Sequence, residues 1–366
     1  MMDRNWVRFP LMFQNNRITR FYVGGKVLNE WRRMEEVEDS HQCEELLVTS
    51  IGAISKGQKE GFAVSRTLES QGSTLLSDLL RAYPEEILGK EFHEYNPNHL
   101  SVLARVGDTK VRLVLQCHPK RQDAKKYFGM PMGKTEAWYM ARIREIPGEE
   151  ACVYAGFKRH VTKALWRRLY EAQDVDAMVN CLHKLPVKQG QTVLIPAGMP
   201  HCVGPGCLFL EYHECNDITV RVEKNINGMT ISDEEMFYGL SLEEGLGLFD
   251  FTTYTEEEIR QRIMMKEHPA QQEEQYELLH IIRKEDNDSF GMDLLKLHGM
   301  YRLPDKEYHR VIVAVENDLT IKVGDREECL IQGHGALIPA CCKNVELIGA
   351  DCQVTIGIPF LEGKEV

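Results

Sequence analysis

A chain of 366 residues is too long for one small core and suits two domains or a fused pair of barrels. With 43% hydrophobic and 27% charged residues it is ordinary and globular. Forty-four basic against 56 acidic residues give a net charge of −12, which argues against nucleic acid or an anionic membrane as the main partner. Any anionic substrate would then need a local basic pocket.

The opening MMDRNWVRFP is not followed by an apolar run of signal-peptide type, and no apolar stretch reaches about 18 residues. The expectation is a soluble, cytoplasmic protein. Eleven cysteines without a C-x-x-C spacing, several of them in apolar strand patterns (Cys117, Cys152, Cys329, Cys352), read as reduced, buried thiols.

Residues 1–70 read as short strands with turns at Asn15-Asn16, Gly24-Gly25 and Gly57, LLVTSIGAIS being the clearest strand. TLLSDLLRAYPEEILG predicts a short helix pair broken at Pro84. LSVLARVGDTKVRLVLQCHP reads as a hairpin turning at Gly107-Asp108, and KRQDAKKYFG as a helix closed by Gly129. Strands follow at TEAWYMARI and ACVYAGF. The period then switches to 3.6 over 159–185, a helical insertion. Strands resume at VLIP, CLFLEY and ITVRV. Residues 223–275 read as a connector with helices, TEEEIRQRIMM among them, and a solvated charged run, QQEEQ. From Tyr276 short strands recur at regular spacing to the end.

VKQGQTVLIPA (187–197) aligns without gaps to LIQGHGALIPA (330–340). The fold expected is mainly β, two jelly-roll barrels with helical insertions: an N-terminal barrel in 1–222, the connector, and a C-terminal barrel in 276–366. In this register His201 meets Asn344, so chemistry is expected in the N-terminal barrel and none in its copy.

Candidate chemistry gathers on three elements. Strand parity puts Gln116 and His118 on one face of VRLVLQCHP, and Lys134, Glu136 and Trp138 on one face of GKTEAW. His201 follows a Pro-Ala-Gly turn. Two imidazoles, a carboxylate and an amide oxygen suit a divalent ion, Zn²⁺ first, with Mn²⁺, Fe²⁺ and Co²⁺ open. Lys134, pointing with Glu136, would enter the same cavity as a proton shuttle. Lys120, Arg121, Lys158 and Arg159 are candidates for a phosphate pocket. The remaining histidines lack ligand spacing and read as structural or exposed.

LQCHP, GKTEAWY, VYAGFK, PVKQGQTVLIPAGMPHCVGPG and LEYHECNDITVRV resemble, in order, the short bacterial form of class I mannose-6-phosphate isomerase, a double-cupin enzyme. The likeness is strong from 113 to 221. It implies Gln116, His118, Glu136 and His201 as metal ligands, Arg221 in the active site, and Glu211 as a secondary base. It departs after Arg221: Val220 stands where Tyr is common, and Glu223-Lys224-Asn225 replaces an aromatic and a second basic group. The implied function is isomerisation of mannose 6-phosphate and fructose 6-phosphate by a monomer or homodimer. Rival readings are an isomerase of another sugar, a sugar-sensing cupin without turnover, and a non-haem iron oxygenase built on His118, Glu136 and His201.

Overall fold

A computed structural model of the chain describes residues 6–53, 62–226 and 229–361. Gly57 lies outside them. The chain forms two halves, each built from two sheets packed on a shared apolar core, all pairs being antiparallel except Thr253–Tyr254 on Cys152–Lys158. In the first half one sheet runs in the order Arg17–Ile18, Glu44–Val48, Val102–Asp108, Cys207–Glu214, Glu136–Ile143, Thr192–Ile195. The other runs Val220–Arg221, Gln116–Cys117, His201–Val203, Cys152–Lys158, with Leu182–Pro186 and Thr253–Tyr254 also on Cys152–Lys158.

The second half repeats this order. Its larger sheet runs His268–Glu273, Tyr276–Ile282, Phe290–Leu297, Cys352–Pro359, Arg310–Glu316, Gly335–Ile338, and takes Leu11–Met12 from the N-terminus as its last strand. Its smaller sheet runs Met300–Arg302, Val345–Ile348, Leu319–Val323, Arg326–Leu330. The sequence repeat is carried by strands: Thr192–Ile195 and Gly335–Ile338 occupy the same place in the two halves, each preceded by a glycine at positive φ, Gly190 and Gly333. Their neighbours correspond as well, because Glu136 pairs with Ile195 as Arg310 pairs with Ile338. Where the first half has a carboxylate the second has a buried guanidinium, whose Nη1 donates to the Pro304 carbonyl at 2.7 Å.

The central strands look almost continuously apolar because both of their faces are buried. Val311, Val313 and Val315 face the other half, whereas Ile312 and Ala314 face inward. In the first half Ala137, Tyr139 and Ala141 face the second half, which leaves Glu136, Trp138 and Met140 for the interior. The same parity turns Leu208, Leu210 and Tyr212 outward and Phe209, Glu211 and His213 inward.

Several expectations change. The Gly107-Asp108 hairpin is absent: both residues lie within Val102–Asp108, and the chain crosses to the other sheet over 109–115. Asp108 is held in place by the helix it caps, its Oδ2 accepting from the Gly25, Val27 and Leu28 amides. The segment after Gly25 is that helix, Lys26–Trp31, not a strand. QQEEQ is solvated as expected, yet most of it belongs to the exposed edge strand His268–Glu273. Helices Leu76–Ala82 and Pro84–Leu88 break at Pro84, and Lys163–Ala172 and Val175–Asn180 form the insertion. The connector holds the helices Asp233–Met236, Leu242–Gly247 and Glu256–Ile263. All eleven cysteines are unbonded, and Cys329 is exposed on its strand where burial was expected. No helix among the described residues is long and apolar enough to cross a membrane.

His309 joins the halves. Its Nδ1 donates to the Leu88 carbonyl at 3.2 Å and its Nε2 accepts from the Ser101 amide at 3.2 Å, so only the neutral ring fits. Burial lowers its pKa to about 4. A folded-state value below the unfolded one means that acid favours unfolding. The stabilisation is complete above the unfolded value near 6.5 and is lost as pH falls from there toward 4. Between pH 7 and 5 this one ring is worth about 2 kcal/mol. Urea unfolding at both pH values should therefore show that His309→Gln loses less stability on acidification than the parent, by about that amount.

Candidate metal centre

Gln116, His201 and Arg221 lie opposite one another across three adjacent strands, so register alone puts them on one face. His118 follows Gln116 with the same parity. The turn before His201 is tied to it, the Gly198 amide donating to the His118 carbonyl at 2.7 Å with Gly198 at φ +85°. From the facing sheet Glu136 opens its strand and points into the interior.

His118 Nε2 is 3.1 Å from one oxygen of Glu136, and His201 Nε2 is 3.1 Å from the other. The ligand atoms of these three buried residues all lie within 4.8 Å of one another. Each ring is oriented by a carbonyl: His118 Nδ1 donates to Ile218 at 2.9 Å, and His201 Nδ1 donates to Met199 at 2.8 Å. In neutral rings this leaves both Nε2 lone pairs facing the carboxylate. Burial, reinforced by the charge of Lys134, lowers His118 to about 4 and keeps it neutral. Burial alone would raise Glu136, but the Lys134 ammonium beside it holds it well below the usual carboxylate range.

Two lone pairs converging on an anion repel unless positive charge lies beside them, and Lys134 Nζ, 3.2 Å from His118 Nε2 and 3.0 Å from Glu136, supplies it from one side. Neither oxygen of Glu136 receives a well-formed hydrogen bond. Gln116 completes the set, its amide 3.2 Å from His201 Nε2, and a turn of the amide presents Oε1 instead. Two imidazole nitrogens, a carboxylate and an amide oxygen, with both rings backed by carbonyls, fit a divalent ion.

Beside this cluster is a line of paired charges. Lys134 Nζ, fully buried, is 3.0 Å from Glu136 and 3.5 Å from Glu211. Glu211 meets Arg105 Nη2 at 2.7 Å, and Arg105 Nη1 reaches Asp217 at 3.5 Å. Burial pushes Glu211 up to about 7 against the pull of Arg105, with the charge of Glu136 adding to the rise. Arg221 bonds only weakly, to the Thr219 carbonyl at 3.4 Å, and lies over the ring of Phe21.

Sequence reasoning missed Arg105 and His213. Arg105 interrupts the apolar run VLARV, and His213 shares strand parity with Glu211, 4.0 Å away. Both signals were present in the sequence. The four basic residues proposed for a phosphate pocket are used elsewhere. Lys120 pairs with Asp250, Arg121 with Glu214 and Arg159 with Glu258, while Lys158 donates to the Asn180 carbonyl. Glu223, in the departing segment, binds Arg112 through both oxygens at 2.7 and 3.1 Å.

Elemental analysis of the purified chain should find one divalent ion, since the second half carries Arg310 at the place of Glu136. His118→Ala and His201→Ala should each lose most of it. Full metal content in both variants would place the ion elsewhere.

No protein-family model matches the chain. It is 32% identical over 149 residues to a mannose-6-phosphate isomerase of Streptococcus mutans, and 25% identical over 135 residues to the mannose-6-phosphate isomerase ManA of Bacillus subtilis. These matches span 40% and 36% of this chain and 42% and 39% of those proteins. The structural likeness is wider. A mannose 6-phosphate isomerase of Bacillus subtilis superposes with a TM-score of 0.73 at 17% identity, over 95% of this chain and 99% of that one. A phosphomannose isomerase variant from Salmonella typhimurium gives 0.69 at 13% identity, over 96% and 100%. In fold throughout and in sequence over about two fifths of its length, the chain is a mannose-6-phosphate-isomerase-like protein.

Proposed function

We propose that the chain is a metal-dependent aldose–ketose isomerase that interconverts mannose 6-phosphate and fructose 6-phosphate, with Gln116, His118, Glu136 and His201 holding the ion. The observation that carries this reading is the buried Lys134 ammonium, placed between the cluster and Glu211. A bound divalent ion supplies Lewis-acid polarisation of the sugar oxygens at C1 and C2.

The chain's own groups supply the rest. Isomerisation moves a proton between C2 and C1 through a cis-enediol, which needs a base on one face of the open-chain sugar. Glu211, pushed up to about 7 by burial, is poised to take and return a proton near neutrality. Lys134, 3.5 Å away, can relay a proton between Glu211 and the sugar oxygens. Arg221, aligned with Gln116 across the strands and without a carboxylate partner among the described residues, offers its charge to the developing enediolate. The second half, with Arg310 and Asn344 at the places of Glu136 and His201, serves a structural role. Gln116 beside the His-Glu-His cluster favours this reading over an iron oxygenase, which leaves such positions open.

Lys134→Met and Arg221→Met separate catalysis from metal binding, because neither side chain ligates a metal in its charged form. Both variants should keep their metal. Coupled isomerisation assays should show kcat of Lys134→Met reduced by about 10²- to 10⁴-fold. Arg221→Met should show a mixed defect, with kcat falling and KM rising. Near-normal kinetics in both would defeat these roles.

A further inference from the structure

We infer that Asn216 is the positioning residue that holds the metal cluster and Lys134 in register with one another, an inference that rests on the metal-dependent reading of the site. Asn216 is fully buried and belongs to none of the strands that carry the cluster. It lies in the connection 215–219, between Cys207–Glu214 and Val220–Arg221. Its carboxamide has one partner at each end. Oδ1 accepts from the Ile218 amide at 2.8 Å, and Nδ2 donates to the Met132 carbonyl at 2.8 Å. The two partners fix which way the amide points, because the Ile218 N–H needs an acceptor and the Met132 oxygen a donor.

The Ile218 end reaches His118. The carbonyl of Ile218 accepts from His118 Nδ1 at 2.9 Å, which leaves Nε2 as the lone pair facing Glu136. That carbonyl stays aimed only while the short turn carrying it is held. Asn216 holds the turn from the buried side. On the other side the Thr219 amide donates to the half-exposed Tyr238 hydroxyl at 3.2 Å, a place that water can take. Without the Asn216 oxygen the turn relaxes, and a ring that has lost its acceptor can carry its proton on Nε2. The lone pair offered to a cation is then gone.

The Met132 end reaches Lys134. Residues 132–135 are pinned at two points from 214–216. Asn216 takes the Met132 carbonyl, and Glu214 takes Thr135, whose amide donates to Oε2 at 2.8 Å and whose carbonyl accepts from the Glu214 amide at 3.1 Å. Lys134 lies between the two pins, its own amide donating to the Pro119 carbonyl at 3.2 Å. Gly133 packs so tightly there that a Cβ would lie 2.9 Å from the same oxygen. One buried amide thus couples the segment ending in His118-Pro119 to the segment bearing Lys134 and Glu136. The task needs an acceptor at one end and a donor at the other; an ionised Asp has only acceptors and Ala has neither.

The test compares Asn216→Ala, which loses both ends, with Asn216→Asp, which keeps the acceptor for Ile218 and loses the donor to Met132. Zn²⁺ affinity is read by competition with a chromophoric chelator, and the His118 tautomer from imidazole nitrogen NMR shifts of the metal-free protein. Asn216→Ala should bind Zn²⁺ about 10- to 100-fold more weakly and show His118 as a mixture of tautomers. Asn216→Asp should keep the Nδ1–H tautomer and hold Zn²⁺ within a few-fold of the parent. Its kcat for the phosphorylated sugar should nevertheless fall about 10- to 100-fold with KM little changed. A residue that only supports the fold would lower the Tm of both variants and move neither the tautomer nor the Zn²⁺ affinity. Parent-like tautomer and affinity in Asn216→Ala therefore overturn the assignment. Should that variant not fold, a displaced tautomer or a parent-like kcat in Asn216→Asp overturns it instead. A parent that binds Zn²⁺ but isomerises no phosphorylated aldose removes the isomerase reading, while affinity and tautomer still decide the role of Asn216.

Discussion

The interaction on which the site depends is a repulsion. Two carbonyl oxygens, those of Ile218 and Met199, take the Nδ1 protons of His118 and His201 and so aim two lone pairs at the Glu136 carboxylate. Backbone geometry thereby sets the tautomers. Lys134 relieves part of the conflict from one side. The His201 side of the carboxylate, where only the Gln116 amide approaches the ring, is where a divalent ion as proposed would complete the neutralisation.

Polarity is graded outward from that point. The centre is electron-rich and dry, the next layer alternates Lys134, Glu211 and Arg105, and the outermost holds Asp217, Arg20 and Glu44. Each buried charge has an opposite neighbour, as burial in a low dielectric requires.

Much of this was legible because strands write their geometry into sequence with a period of two. Gln116 and His118, and Lys134 and Glu136, could be put on common faces from parity alone, and the structure brings these four and His201 together. The repeat at 187–197 and 330–340 was legible for the same reason, the Gly190 and Gly333 turns being demanded by the backbone. What was not legible depended on partners distant in sequence. Gly107-Asp108 has the composition of a turn, but Asp108 is held extended by the helix 80 residues earlier that it caps. Lys120 and Arg159 resemble phosphate ligands until Asp250 and Glu258 are seen beside them. Arg105 and His213 were readable by parity, yet a charge in an apolar strand names no partner until the facing strand, Cys207–Glu214, is known.

The guanidinium of Arg310, in the place that Glu136 occupies in the first half, gives the two halves different relations to their surroundings. The second half carries its cation covalently, in the Arg310 side chain, where neither dilution nor a chelator removes it. An ion held by the first half as proposed would come from solution, and that half's share of the folding free energy would then rise with the logarithm of free metal concentration. One chain would thus join a half whose stability is fixed by covalent structure to a half whose stability follows supply. The valine-lined interface and His309 between them would then make depletion of the first half a load on the second.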